Sequence, residues 1–169
     1  MKKAFTLTEL MIVLVLLSIF VGGVMLVFVT QLKAWGSNLN RATIRQQGHQ
    51  ALGRMVRELN QTNSITSASS SAVTFLADLD DNGSDETITL DTSGATLNRT
   101  ESAVIAPLTF NVQSFGLAYR DLSDNVLTPP AGTDTQLERD TIRVVVLSLT
   151  MNKADETLNI SSSAYLHNQ

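Results

Sequence analysis

The chain has 169 residues, no Cys and a formal charge of −4. That length admits one modest globular domain beside a membrane segment, and the lack of Cys excludes a disulfide framework, a thiolate metal site and a thiol nucleophile. The charge is divided: Lys33 to Arg57 holds five basic residues and no acid, whereas Gln61 onward holds five basic against fourteen acidic residues. An acidic C-terminal part argues against nucleic acid as its ligand, because phosphate affinity rests on Lys and Arg.

In chain order, a short basic leader, Met1-Lys2-Lys3-Ala4, is followed by Phe5-Thr6-Leu7-Thr8-Glu9 and then by Leu10 to Val29 without a charge. Twenty helical residues at ~1.5 Å each match a hydrocarbon core of ~30 Å. A secretory signal instead has an apolar stretch of ~7–15 residues with its small-residue cut site behind it. Here the apolar run is longer, and the small residue, Ala4, precedes it.

No proline interrupts Phe5 to Asn60, so one long helix is expected. Gly22-Gly23 is its weak point and also a place where another helix can approach closely. Beyond the apolar run the helix is amphipathic, with a stripe that moves. Leu32, Trp35, Leu39 and Ala42 share one side; Ile44, Gly48, Ala51, Leu52, Met55, Val56 and Leu59 share another. At ~100° per residue the two stripes diverge, so one β domain cannot cover both. The second is assigned to the head's own sheet, and the first to the membrane surface or neighbouring helices, with Trp35 at the interfacial level.

Residues 60 to 72, rich in Ser, Thr, Asn and Gln, read as a linker into the head. Strand patterns follow over 72–77, 86–90, 95–99, 113–119, 141–151 and 158–166. Phe115, Leu117 and Tyr119 alternate; so do Ile142, Val144 and Val146, before a shift to Leu147 and Leu149. Turn chemistry at 81–83, 92–94, 123–125 and 129–132 separates the strands. The expected fold is α+β: a long N-terminal helix, one half in the membrane and one half amphipathic, packed on a mainly antiparallel β head. The expected divisions are 1–4 leader, 5–29 membrane helix, 30–62 stem and 63–169 head.

The most suggestive polar cluster is Asp78-Leu79-Asp80-Asp81-Asn82-Gly83-Ser84-Asp85-Glu86. Asp78, Asp80, Asn82 and Gly83 match the first half of a Ca2+-binding loop, with Glu86 as a further oxygen ligand. The position of the bidentate Glu holds Thr89, inside a strand pattern. The other reading is an acidic hairpin loop turning at Asn82-Gly83 in a type I′ turn. Ca2+ is the one cofactor this sequence suggests. No catalytic set is visible: His49 and His167 stand alone, and no nucleophile, phosphate-binding or metalloprotease motif occurs, so no enzymatic activity is expected.

The block Phe5-Thr6-Leu7-Thr8-Glu9, behind a basic leader and ahead of the apolar run, resembles the N-terminus of type IV pilins and of the pseudopilins of type II secretion. It matches that family's FTLxE pattern at every position, with Ala4 where the family usually has Gly. The resemblance implies cleavage by a prepilin peptidase between Ala4 and Phe5 and N-methylation of Phe5. It implies that Glu9 pairs with the N-terminal ammonium of a neighbouring subunit. A carboxylate in a bilayer is costly unless paired, so Glu9 acts as a register device on assembly. It can also serve as a favourable acid at a helix N-terminus.

Residues 51–59, Ala-Leu-Gly-Arg-Met-Val-Arg-Glu-Leu, are similar to a run in J-type minor pseudopilins and W-type minor pilins. The implied partners are other pilins or pseudopilins through the N-terminal helix, the prepilin peptidase and the inner membrane, with the head periplasmic. The implied function is a minor structural subunit of a pilus or pseudopilus. The second reading is a filament-borne or membrane-anchored binding module.

Overall fold

The structure is a computed structural model and describes residues 6–129, 135–154 and 156–166. Helix α1 runs Leu7–Asn60, uninterrupted through Gly22-Gly23. The chain divides into two compact units, Met1–Leu39 and Asn40–Gln169. In the first, an 18-residue window of α1 reaches a mean hydropathy of 3.1, and α1 is the one helix among the described residues long and apolar enough to cross a membrane.

The second unit builds its core on the later part of α1. Ile44, Gly48, Ala51, Leu52, Met55 and Leu59 are all buried, the stripe assigned above to the head, while Val56 is half-buried. Two antiparallel sheets carry the rest. One has the order β1-β2-β3-β4-β5, formed by β1 (Ser64–Ala68), β2 (Val73–Ala77), β3 (Glu86–Ser93), β4 (Thr96–Glu101) and β5 (Val104–Phe110). The other has the order β7-β6-β8-β9, from β6 (Val112–Arg120), β7 (Val126–Leu127), β8 (Val144–Lys153) and β9 (Glu156–Tyr165). Phe75, Ile88, Leu90, Leu97, Tyr119 and Leu147 are fully buried in the shared core. The α+β architecture is as expected.

Strands β1, β5 and β8 depart from the sequence reading, and β7 and a short helix between β7 and β8 add to it. The stretch taken as a linker contains β1; its Ser/Thr content hides a strand that buries Ile65 and Ala68 across an irregular register. Strand β5 is also new. It is joined to β4 by a two-residue turn at Ser102-Ala103 with φ of 47° and 70°, a hairpin geometry that usually selects Asn or Gly, and it contains Pro107, which argues against a strand except at a sheet edge. In β8 the inward residues are Val145, Leu147, Leu149 and Met151. Val144 and Val146 lie on the outer face, so the Leu residues set the register rather than the first pair of valines.

Close packing and polar ties hold the second unit. Helix and sheet approach so nearly at Gly48 that a Cβ there meets Ile160 Cδ1 at 2.6 Å. The Tyr119 hydroxyl donates to the Ser69 carbonyl at 2.7 Å, and Leu117 N donates to the Ser70 carbonyl at 2.8 Å, which ties the β1–β2 turn to the other sheet. A short helix α2, Gln136–Arg139, is closed by a capping box between Thr135 and Glu138. Its Gln136 side chain donates to the Ile65 carbonyl at 3.2 Å, covering the edge at β1.

The sequence reading gave no core role to two charged residues that are buried here. Arg99 of β4 is 5 % exposed and Glu58 of α1 is 7 % exposed. Arg99 Nε donates to both Glu58 oxygens, at 2.9 and 2.8 Å. Arg54 adds a bond to Glu58 at 2.9 Å, and Glu101 accepts from Arg99 at 2.5 Å. Burial works against the Arg99 cation, and hydrogen bonds and charge from Glu101 and Glu58 outweigh it, so its pKa is raised. Removing one partner of such a pair strands the other in a poorly solvated place. Arg99→Met is therefore expected to lower unfolding stability by about 3 kcal/mol, read by circular dichroism of the full chain in detergent. A loss within about 0.5 kcal/mol, the range of ordinary surface changes, would show that the network does not anchor the helix.

Candidate functional site

Two candidate sites were legible in sequence, the N-terminal block and the acidic loop. The cut position itself, Ala4–Phe5, lies outside the described residues, as do His167 and the turn at 130–132.

At the N-terminal block, α1 begins at Leu7 with Thr6 as the residue before it. The Thr6 hydroxyl accepts from Glu9 N at 3.3 Å. In return one oxygen of Glu9, Oε2, accepts from Thr6 N at 3.0 Å and from the Thr6 hydroxyl at 2.9 Å. This is a capping box: a side-chain oxygen satisfies an orphan N–H of the first turn, and the acid three residues on satisfies the cap's own N–H. The Thr-x-x-Glu spacing carried that signal; from the sequence Glu9 was given a register role and a favourable place at the helix start, but not a cap. Among the described residues, the hydrogen bonds that the Glu9 carboxylate accepts fall on Oε2.

The surface around this cap is apolar. Large hydrophobic side chains from Leu7 to Val29 are 48–76 % exposed, so nothing within the first unit covers them. Leu32, Trp35 and Leu39 continue the exposure, at 50, 64 and 55 %, which agrees with the first amphipathic stripe being left for the membrane or neighbouring helices. His49 is exposed on the helix.

The acidic loop joins β2 to β3. Single ligand oxygens of Asp78, Asp80 and Glu86 lie within 4.8 Å of one another. The loop also closes on its own hydrogen bonds. Asp78 accepts from Asn82 N at 3.1 Å and Gly83 N at 2.8 Å. Asn82 donates to Asp80 at 2.8 Å and accepts from Ser84 N at 2.8 Å, and Glu86 accepts from Leu79 N at 2.9 Å. The positive φ values fall on Asp81, 58°, and Gly83, 83°. A type I′ turn at Asn82-Gly83 would need both of those residues there, so that expectation is corrected: the connection is a longer loop folded around Asp78. Thr89 sits in β3, its hydroxyl 3.0 Å from that of Thr74, away from any ligand role.

With this geometry in place, comparison with known proteins bears on the N-terminus. Residues 1–25 match the family model described as the prokaryotic N-terminal methylation motif. No curated protein sequence matches the chain. The motif supports a pilin- or pseudopilin-type subunit, processed by a prepilin peptidase and anchored in a membrane by its apolar helix.

The capping box makes its own prediction. Thr6→Val keeps the branched shape but removes the hydroxyl, so the first turn of α1 is expected to fray. Hydrogen exchange at the Glu9 and Leu10 amides, which donate to the Thr6 hydroxyl and carbonyl, is expected to accelerate in detergent. Unchanged protection there would mean that the box does not hold the helix start.

Proposed function

We propose that this chain is a minor subunit of a type IV pilus or a type II secretion pseudopilus, acting in the initiation or tip complex rather than as an enzyme. It is held in the bacterial inner membrane with its N-terminus cytoplasmic and its head periplasmic. After cleavage behind Ala4, Phe5 carries the new, methylated amine. The observation that carries the reading is the N-terminal block: a methylation motif over residues 1–25, opening an apolar helix that is uncovered in the first unit. The similarity of residues 51–59 to J-type and W-type minor subunits supports the minor assignment.

The cap supports a second role for Glu9. Oε2 closes the cap of its own helix, and in the proposed filament the carboxylate pairs with the ammonium of a neighbouring subunit. A carboxylate taken into an apolar filament core is destabilised unless that partner arrives, so a subunit out of register is disfavoured.

Two substitutions separate capping from charge. Gln keeps a capping box, since its side-chain oxygen accepts the same N–H, but it carries no charge. Both Glu9→Gln and Glu9→Leu are expected to leave membrane insertion intact and to reduce incorporation into filaments, scored by shearing and immunoblotting. If Glu9→Gln assembles as the unmodified chain does while Glu9→Leu does not, the residue acts through its cap alone and the register role is wrong.

A further inference from the structure

The two sheets of the second unit have four edges between them, at β1, β5, β7 and β9. A free edge is a row of unpaired N–H and C=O groups that another strand can join, and folded proteins blunt such edges with covers, prolines or short strands. Three of the four are blunted here. Beside β1, the Gln136 side chain of α2 donates to the Ile65 carbonyl at 3.2 Å. In β5, Val104 faces Glu101 across a two-residue turn, as a hydrogen-bonded pair; by alternation Pro107, opposite Asn98, points its nitrogen away from β4 and offers no donor. Strand β7 is two residues long. The β6 strand behind it is tied to the first sheet, with Leu117 N donating to the Ser70 carbonyl at 2.8 Å and Val112 N to the Ala95 carbonyl at 3.0 Å.

The fourth edge, β9, has none of these devices. It runs Glu156–Tyr165 without Pro or Lys, in an unbroken register against β8. Its alternation is fixed at the far end. Tyr165 N turns away from β8 and donates to the Asn60 side chain at 3.1 Å, whereas Leu166 N donates to the Arg143 carbonyl at 2.9 Å. Counting back by twos, the N–H and C=O groups of Thr157, Asn159, Ser161 and Ser163 also face away from β8. Those groups have no partner among the described residues, and Thr157, Asn159 and Ser161 are exposed. Where β9 begins, a cavity of about 150 Å3 lies between it and α1, lined by Arg41, Ile44, Arg45, Glu156, Thr157 and Leu158. Arg41 is paired with Glu156. Arg45 is exposed and has no ion pair among the described residues, so the start of the open edge carries one cation in excess.

We propose that the open edge of β9 is a docking site for an extended segment of a different protein, laid antiparallel to β9 and carrying an Asp or Glu close to its C-terminal end. The unpaired backbone groups select the conformation: a row of donors and acceptors at every second residue is met in full by the edge of another strand. The direction agrees with both sheets, in which every pairing is antiparallel. A segment lying that way has its C-terminal end beside Thr157, where Arg45 is the complement to a carboxylate. Main-chain bonds supply the affinity of such a site, and the acid at one end sets the register. The inference concerns the head alone and goes beyond the filament reading, since neither the cleavage nor Glu9 enters it.

The test uses the full chain in neutral detergent and a fluorescent peptide, acetylated and amidated, of nine alternating Thr and Val residues with Glu in place of the last Thr. Binding is read by fluorescence anisotropy. It is expected to weaken about tenfold in Ser161→Pro, which removes one outward donor and leaves the ladder to β8 intact. It is expected to weaken about threefold in Arg45→Gln. Exchanging the peptide's Glu for Gln is expected to cost the same factor on the unmodified chain and nothing on Arg45→Gln. The same peptide N-methylated throughout has no donors and is expected not to bind. That arm keeps the test open if circular dichroism shows Ser161→Pro to be unfolded. No binding of the unmethylated peptide, or binding that ignores both Ser161→Pro and N-methylation, overturns the proposal. Equal binding of the Glu and Gln peptides to the unmodified chain also overturns it, because the acidic end defines the occupant. Self-association that Ser161→Pro abolishes, with no uptake of peptide, assigns the edge to a second copy and overturns it as well.

Discussion

The structure depends on how one helix disposes of its apolar surface. From Ile44 onward, α1 buries a stripe against two sheets, and the second unit has its core there. From Leu7 to Val29 the same helix carries an apolar surface that its own unit leaves uncovered. Burying apolar area is the main favourable term in folding and association, so that uncovered surface requires a non-aqueous surrounding: lipid, other helices, or both in turn. The acid at the helix start acquires meaning from this demand. Within the described residues Glu9 is satisfied on one oxygen by the cap of its own helix. In an apolar surrounding the remaining oxygen needs a donor.

What fixes the helix to the head is a different balance of forces. Gly48 lets the helix backbone come close to β8 and β9, with Met151, Leu158 and Ile160 all within reach of the Cβ it lacks. Ten residues further along, Glu58 and Arg99 form a buried ionic link to the opposite sheet. Such a link is weak evidence of stability in itself, because desolvation opposes the attraction. Its contribution is directional: apolar contacts tolerate sliding, whereas the bonds from Arg99 Nε to both Glu58 oxygens favour one placement of the helix over β4.

Much of this was legible in sequence where periodicity was long and strong. The apolar run, the second stripe at Ile44 to Leu59 and the inward alternation of Phe115, Leu117 and Tyr119 all place residues where they are found. Legibility failed where local chemistry was indirect. Strand β1 is written largely in Ser and Thr, and β5 is introduced by Ser102-Ala103, a pair that does not announce a tight hairpin. Glu58 looked like one more charge in a polar helix because its partner, Arg99, is 41 residues away. At the N-terminal block the motif itself could be read, since it is local and residues 1–25 match its family model. The Thr6–Glu9 cap was also readable from its spacing, and the acid drew the attention that belonged to the pair. The acidic loop was found by composition, but its shape turns on which residue takes positive φ, and sequence alone did not choose Asp81 over Asn82.

On the proposed function, the opening residues form a processed assembly signal rather than a plain membrane anchor. This is tested most directly by mass spectrometry of the N-terminus of the chain recovered from membranes of cells that contain a prepilin peptidase. The expected chain starts at Phe5 with a methylated amine. A chain that still begins at Met1, or is cut behind the apolar run, would contradict it.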